Sequence, residues 1–277
     1  MPWSPDFFAA EFLAERAREQ PDAPLAPIRY FDGILADDVD ALVRSFAGEP
    51  EVHDPVRGRI KGEAAFRRYV EETSAALRAS NATIENVDLV ITADRSVEEV
   101  VLSTDGPNGR VDLPVALVGD SGPSGLLEIR IYYSTWPLTG GHAIRPPLLQ
   151  PDPDLRETGA VADYQRALAA GDLEATLAAF EPDATVREPA GSAYLHRGTA
   201  ELTELYTLFY SNGGGIPLEH CSVTDDGRAC AIEYNVTQWG RTQLPPEAGV
   251  AVYVRGISGR LAAARIYDDS NPPLTGD

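Results

Sequence analysis

Residues 30–55 read YFDGILADDVDALVRSFAGEPEVHDP, and residues 164–189 read YQRALAAGDLEATLAAFEPDATVREP. Set side by side without a gap, they pair Asp38 with Asp172, Phe46 with Phe180 and Val52 with Val186. Asp54 then falls opposite Glu188, and Pro55 opposite Pro189. Each stretch continues through a short loop to a glycine (Gly62, Gly198) and a new helix. Each copy closes on a related strand, RIYYSTWPLTG from Arg130 and RIYDDSNPPLTG from Arg265, with one inserted residue between them. Matches at both ends, in the same order, define an internal repeat, so the chain holds two copies of one domain.

Working outward, Ser4-Pro5-Asp6 is a helix start, and Phe7, Phe8 and Phe12 follow on helical spacing. Residues 1–27 are read as an N-terminal helical arm, with the helix over 4–20. Between the copies, PPLLQPDPDLRET (146–158) carries four prolines and reads as a semi-rigid linker. The first domain is therefore placed at 28–145 and the second at 159–277.

Within each copy helices come first and strands follow. Periodicity predicts helices over 28–36, 38–47 and 62–79, then strands near 82–92, 97–103, 111–118 and 126–135. The second copy repeats this, with helices over 160–170, 172–180 and 198–211. Its strands fall near 217–224, 229–239, 248–256 and 260–268. Helices followed by an antiparallel meander imply an α+β fold, a curved sheet wrapped around helices to form a cone. The interior of such a cone is apolar and suits a small ligand.

Composition narrows the partners. A formal net charge of -20 repels phosphate backbones and anionic headgroups, which argues against nucleic acid and membrane surfaces. No 18-residue apolar run is present, and the start lacks a basic-then-apolar leader, so a cytoplasmic location is expected. Cys221 and Cys230 could face each other across a hairpin, and the reading adopted is two free thiols. His53, His142, His196 and His220 are scattered without metal-ligand spacing, so no metal is expected. GDSGPS (119–124) sits at a turn without the chain context of a serine nucleophile.

FEPDATVREPAGS (180–192) resembles the ketosteroid-isomerase segment that carries the general base, and VHDPVRG (52–58) is its weaker counterpart. The chain is thereby similar to tandem SnoaL-like, ketosteroid isomerase-like domains of the nuclear transport factor 2-like superfamily. The resemblance implies two cone-shaped α+β barrels over nearly all of residues 28–276. It implies a carboxylate base at Glu188, with Asp54 in the first copy. It implies a hydrogen-bond donor at Tyr164, with Tyr30 in the first copy, and a supporting Tyr206. The last strand of such domains adds aromatic or acidic residues to the pocket wall, here Tyr132 and Tyr133, then Tyr267, Asp268 and Asp269.

If Glu188 and Asp54 face the pocket, alternation turns Arg187 and His53 away. Arg130 and Arg265 are read as partners of acids on a sheet face. The isomerases have a second donor, an aspartic acid, whose place here falls on Leu117 and Ala251. Polyketide cyclases manage with one carboxylate and are the safer match. A limonene-epoxide hydrolase triad would need Arg-x-Asp where Glu99, Val100 and Val101 stand. An epoxide hydrolase-like enzyme is kept as a further alternative.

The expected function is cofactor-independent acid–base chemistry, isomerisation, cyclisation or dehydration, on a small apolar carbonyl compound. The competing class is a non-catalytic ligand-binding or docking domain, because fold alone does not fix function. An open cone with Glu188 and Tyr164 converging favours the enzyme, and a salt-bridged Glu188 favours binding. The two copies could pair as an intrachain pseudo-dimer, and the chain could also form a homodimer.

Overall fold

The computed structural model describes residues 30–106, 109–191 and 194–274. The expected N-terminal arm lies outside them. Two compact units result, the first ending at Tyr133 and the second beginning at Ser134.

The first unit opens with α1 (Tyr30–Ala36) and α2 (Val39–Arg44), followed by β1 (Glu51–Asp54), β2 (Gly58–Lys61) and α3 (Glu63–Ala79). A meander completes it: β3 (Thr83–Ile91), β4 (Arg95–Gly106), β5 (Gly109–Gly122) and β6 (Gly125–Tyr132). The second unit starts with a short α4 (Trp136–Thr139) and then repeats the plan. Its elements are α5 (Gly159–Ala170), α6 (Leu173–Ala178), β7 (Phe180–Arg187), β8 (Leu195–Arg197) and α7 (Gly198–Phe209). β9 (Leu218–Asp225), β10 (Ala229–Trp239), β11 (Thr242–Arg255) and β12 (Leu261–Tyr267) follow.

The sheets are β2-β1-β6-β5-β4-β3 and β8-β7-β12-β11-β10-β9, the same order twice. In each, one parallel pair joins the meander to the early hairpin, β1 with β6 and β7 with β12. Register shifts within β9–β10, β10–β11 and β11–β12 bend the second sheet. The α+β architecture read from the sequence is the one observed. β5 and β11 run further than expected, because backbone pairing continues past the apolar stretches to Gly106↔Gly109 and Trp239↔Thr242.

The repeat reuses local chemistry. Asp38 and Asp172 both cap a helix, each carboxylate accepting at 3.0 Å from the third backbone N–H onward, Ala41 and Ala175. Either Asp→Ala change is expected to cost about 1 kcal/mol in chemical unfolding of its own unit. Inside the second unit, Tyr164 meets Phe180 at 5.3 Å and Tyr253 at 5.4 Å between ring centroids. These rings, with the fully buried Val161, Val186 and Leu261, form its core.

The stretch between the repeats lies along the second unit. Ala248 N–H donates to the Arg145 carbonyl (2.8 Å), Asn235 to the Leu149 carbonyl (3.1 Å), and Asp152 N–H to the His220 carbonyl (2.8 Å). Residues 134–145 therefore belong structurally with the second unit, ahead of the proline-rich segment. Cys230 stands across from Asp225, so the cysteines do not face each other, and both thiols are free. Among the described residues, no helix is long and apolar enough to cross a membrane.

Candidate functional site

Alternation along β7 sends Ala184 and Val186 into the core and Arg187 to the other face, where its guanidinium stacks on Tyr267 at 4.7 Å. The next residue, Glu188, turns back inward and lines a cavity of about 500 Å³ in the second unit. Val186 lies opposite His196, and Glu188 N–H bonds the Tyr194 carbonyl, so Glu188 and His196 share a face of this hairpin. His196 Nε2 and Glu188 Oε1 are 2.7 Å apart, and both side chains line the cavity.

Tyr164 enters the same cavity from α5. Its hydroxyl lies 2.9 Å from that of Tyr206 on α7, which sits behind it and is 1 % exposed. Burial pushes the Tyr164 phenol up, so the hydroxyl stays protonated and available as a donor. Leu168, Leu205, Phe209, Val236 and Trp239 supply apolar wall.

Asp268 follows β12, the parallel neighbour of β7, and also lines the cavity. Tyr234 on β10 donates to its Oδ2 at 2.6 Å. Burial pushes the Asp268 carboxyl up, and the charge of Asp269 adds to this, against the bond from Tyr234. Asp269 goes the other way. Burial opposes its charge, but donors from Ser134, Thr135 and Ala143 outweigh it and hold it below the ordinary carboxylate range. Two adjacent carboxylates thus have divergent proton affinities, the arrangement that separates an acid from an orienting anion.

Gly249 makes room for the Tyr234–Asp268 pair. A Cβ there would stand 2.8 Å from the Tyr234 ring and 2.8 Å from Asp268 Cβ. Gly249→Ala is expected to destabilise the second unit by about 1–3 kcal/mol through overpacking, read as a lower urea midpoint.

Tyr267 and Tyr132, expected at the pocket wall, are fully buried on the face opposite Ile266 and Ile131, which turn toward the interior. Strand alternation is the reason. Tyr133 packs against the first core. The second-donor position, Ala251, is buried core, as is Leu117.

The first unit is built differently at the matching place. Asp54 Oδ1 accepts from Val56 N–H (2.8 Å) and Arg57 N–H (2.7 Å), and Oδ2 accepts from Tyr69 (3.1 Å). Its carboxylate is occupied in capping its own turn. The cavity of this unit, about 540 Å³, is lined by Tyr30, Leu89, Glu98 and Leu117 but not by Asp54, and Tyr69, which donates to Asp54, stands between that carboxylate and the Tyr30 hydroxyl. This cavity lies beside Gly119, which faces Ile129 as Tyr253 faces Ala264 in the second unit. A glycine stands where the second copy has a tyrosine ring.

Arg130 pairs with Asp120 and Glu128 as expected for a sheet-face arginine. Glu51, His53 and Glu128 bring their donor atoms within 4.8 Å of one another, the one set of possible metal ligands among the described residues. Arg59 and Lys61 hold Glu51 down at about 2, and His53 and Arg130 lower Glu128, so these carboxylates are already engaged.

His196, Tyr234 and His142 are not singled out for the site by the sequence, whereas Asp269 is. Only His196 carried a usable signal, its place opposite Val186 in the hairpin that ends at Glu188.

A duplicated six-stranded curved sheet, one copy enclosing acids in an apolar cavity, defines the class of α+β cone domains. The SnoaL-like domain family matches residues 28–118 and 161–263, and the chain belongs to that family. Three solved structures illustrate the similarity. A putative polyketide cyclase from Sinorhizobium meliloti is 24% identical over 37% of this chain and 88% of its own (TM-score 0.30). The epoxide hydrolase/cyclase-like enzyme SalBIII is 22% identical over 44% and 87% (TM-score 0.30). An NTF2-like protein of unknown function from Cytophaga hutchinsonii is 14% identical over 37% and 90% (TM-score 0.33).

Proposed function

We propose that the second unit is a cofactor-independent acid–base enzyme for a small, mostly apolar carbonyl compound, of the isomerase, cyclase or dehydratase type. One observation carries this reading: Glu188, Tyr164 and Asp268 all line a single apolar-walled cavity of about 500 Å³. That volume suits a small organic molecule.

Glu188 is the base that removes a proton next to the carbonyl. Charge then develops on the carbonyl oxygen and needs a fixed donor aimed at it. Tyr164 supplies the donor, held by Tyr206. Asp268, whose buried carboxyl favours its proton, is the acid that returns a proton or donates to a second oxygen. The scheme needs no cofactor, because base, donor and acid all come from side chains. Asp54, filled by its own loop, serves the first unit as a structural cap.

The competing reading, a ligand-binding domain without catalysis, is favoured by Ala251 at the second-donor position and by the 2.7 Å pairing of Glu188 with His196. Proton exchange decides between them. The protein is incubated in heavy water with cyclic ketones and β-keto compounds, and deuterium next to the carbonyl is followed by mass spectrometry. Uptake above buffer supports the enzyme. Saturable binding of such compounds without uptake supports the binding domain.

A further inference from the structure

The cavity of the second unit is completed by residues that precede its own repeat. Trp136 and His142, from the segment that precedes the linker, both line it. Their rings stack at 4.7 Å with an interplanar angle of 24°. His142 Nδ1 lies 3.0 Å from Asp269 Oδ1. Asp269 is 3 % exposed and accepts in addition from Ser134 Oγ, from Thr135 N–H (3.0 Å) and Oγ1 (2.7 Å), and from Ala143 N–H (2.7 Å).

This arrangement fixes the imidazole in two ways. The stack with Trp136 sets the plane of the ring. A carboxylate with no proton of its own only accepts, so Nδ1 must be the protonated nitrogen. In the neutral imidazole Nε2 then carries the lone pair, and it has no hydrogen-bond partner among the described residues. The ring it belongs to forms part of the cavity wall.

We propose that His142 is a second proton-transfer group of this cavity, oriented by Asp269 and presenting its Nε2 lone pair to the bound compound. The inference rests on the acid–base reading of the site and adds a residue to it. As a base, Nε2 takes a proton from a substrate O–H or C–H, and the electron pair of that bond stays on the substrate. The imidazolium so formed is balanced by Asp269 and gives the same proton back at the next atom. His142 is the catalytic residue of this pair, and Asp269 is its positioning residue.

Asp269→Asn tests the orientation directly. Thr135 and Ala143 both donate backbone N–H to Oδ2, so the amide oxygen must settle on that side. The amide NH2 then faces Nδ1 and donates to it. The proton moves to Nε2, and the lone pair is withdrawn from the cavity. An aspartate-to-asparagine change that forces the wrong histidine tautomer in this way costs a serine protease about 10⁴-fold in rate.

The probe is 2-bromoacetophenone, an apolar α-bromoketone that alkylates a free imidazole nitrogen with loss of bromide. The full chain is labelled, digested and mapped by mass spectrometry, and 15N NMR of the histidine side chains reports each tautomer. The expected result is a phenacyl group on His142, with an Nδ1–H tautomer in the unlabelled protein. In Asp269→Asn the labelling rate should fall at least about tenfold and the tautomer should switch to Nε2–H. An unlabelled His142, equal labelling in Asp269→Asn, or an Nε2–H tautomer in the parent chain overturns the proposal. Where Asp269→Asn fails to fold, labelling of His142 and its tautomer in the parent chain decide. Proton exchange abolished by Glu188→Gln, together with an unlabelled His142, would keep the proposed function and discard this inference.

Discussion

Glu188→Gln should lower deuterium uptake next to the carbonyl by about 10²–10⁴-fold, the contribution of a positioned general base. The amide keeps the size of the side chain and an oxygen to face His196, so the hairpin from β7 to β8 is retained. It removes the group that takes the proton. The loss should fall on the exchange rate, with binding of the ketone changed far less, because an interaction made only as the proton moves acts on turnover. Asp54→Asn in the first unit should leave the rate unchanged, since that carboxylate is filled by two backbone N–H groups and Tyr69. Exchange lost in Asp54→Asn and kept in Glu188→Gln would place the active cavity in the other unit.

The largest structural effect is expected from Asp269→Ala. The carboxylate gathers donors from Ser134, Thr135, His142 and Ala143. Leaving a buried donor without its acceptor costs about 1–3 kcal/mol each, and the donors near Asp269 are interdependent, so the total should reach about 3 kcal/mol or more. Chemical unfolding of the second unit measures it, and limited proteolysis should open new cleavage sites between 134 and 145. The effect has a pH signature. The folded-state value of Asp269 is depressed, so its stabilisation is complete above the unfolded value, about 3.9. It is lost as pH falls through the lower folded value. Asp268, Glu247 and His142 face the same region. Asp268 and Glu247 are raised, so each removes stability at neutral pH that returns as they take up protons. Asp269→Ala should therefore flatten the acid limb of the stability curve and also shrink those two contributions of opposite sign, since the Asp269 charge helps to raise both groups.

The architecture was legible in the sequence because its determinants are local. Helix caps at Asp38 and Asp172, apolar periodicity and turn glycines act within a few residues and occur twice. With Glu188 facing inward, alternation requires Arg187 to face outward, and it does. The same alternation rule, applied to β12, separates Asp268 from Tyr267, which the sequence reading had placed together on the pocket wall. The role of Asp54 escaped, because it is set by the N–H groups of the loop that follows rather than by its place in the repeat. His142 escaped for the opposite reason: its partner Asp269 lies 127 residues along the chain, and no motif spans that distance.

The position of Trp136 and His142 also bears on how such a chain could have arisen and diverged. The copied segment runs from the first helix to the last strand, yet one wall of the second cavity is drawn from the tail of the first copy. The boundary of the duplication is thus not the boundary of the working part. A gene rearrangement that moved the second repeat alone, cut at its first helix, would carry Glu188, Tyr164 and Asp268 but leave two wall residues behind. Selection on the second cavity would therefore bind the two halves of the gene together, even where the first copy's own acid has become a turn cap.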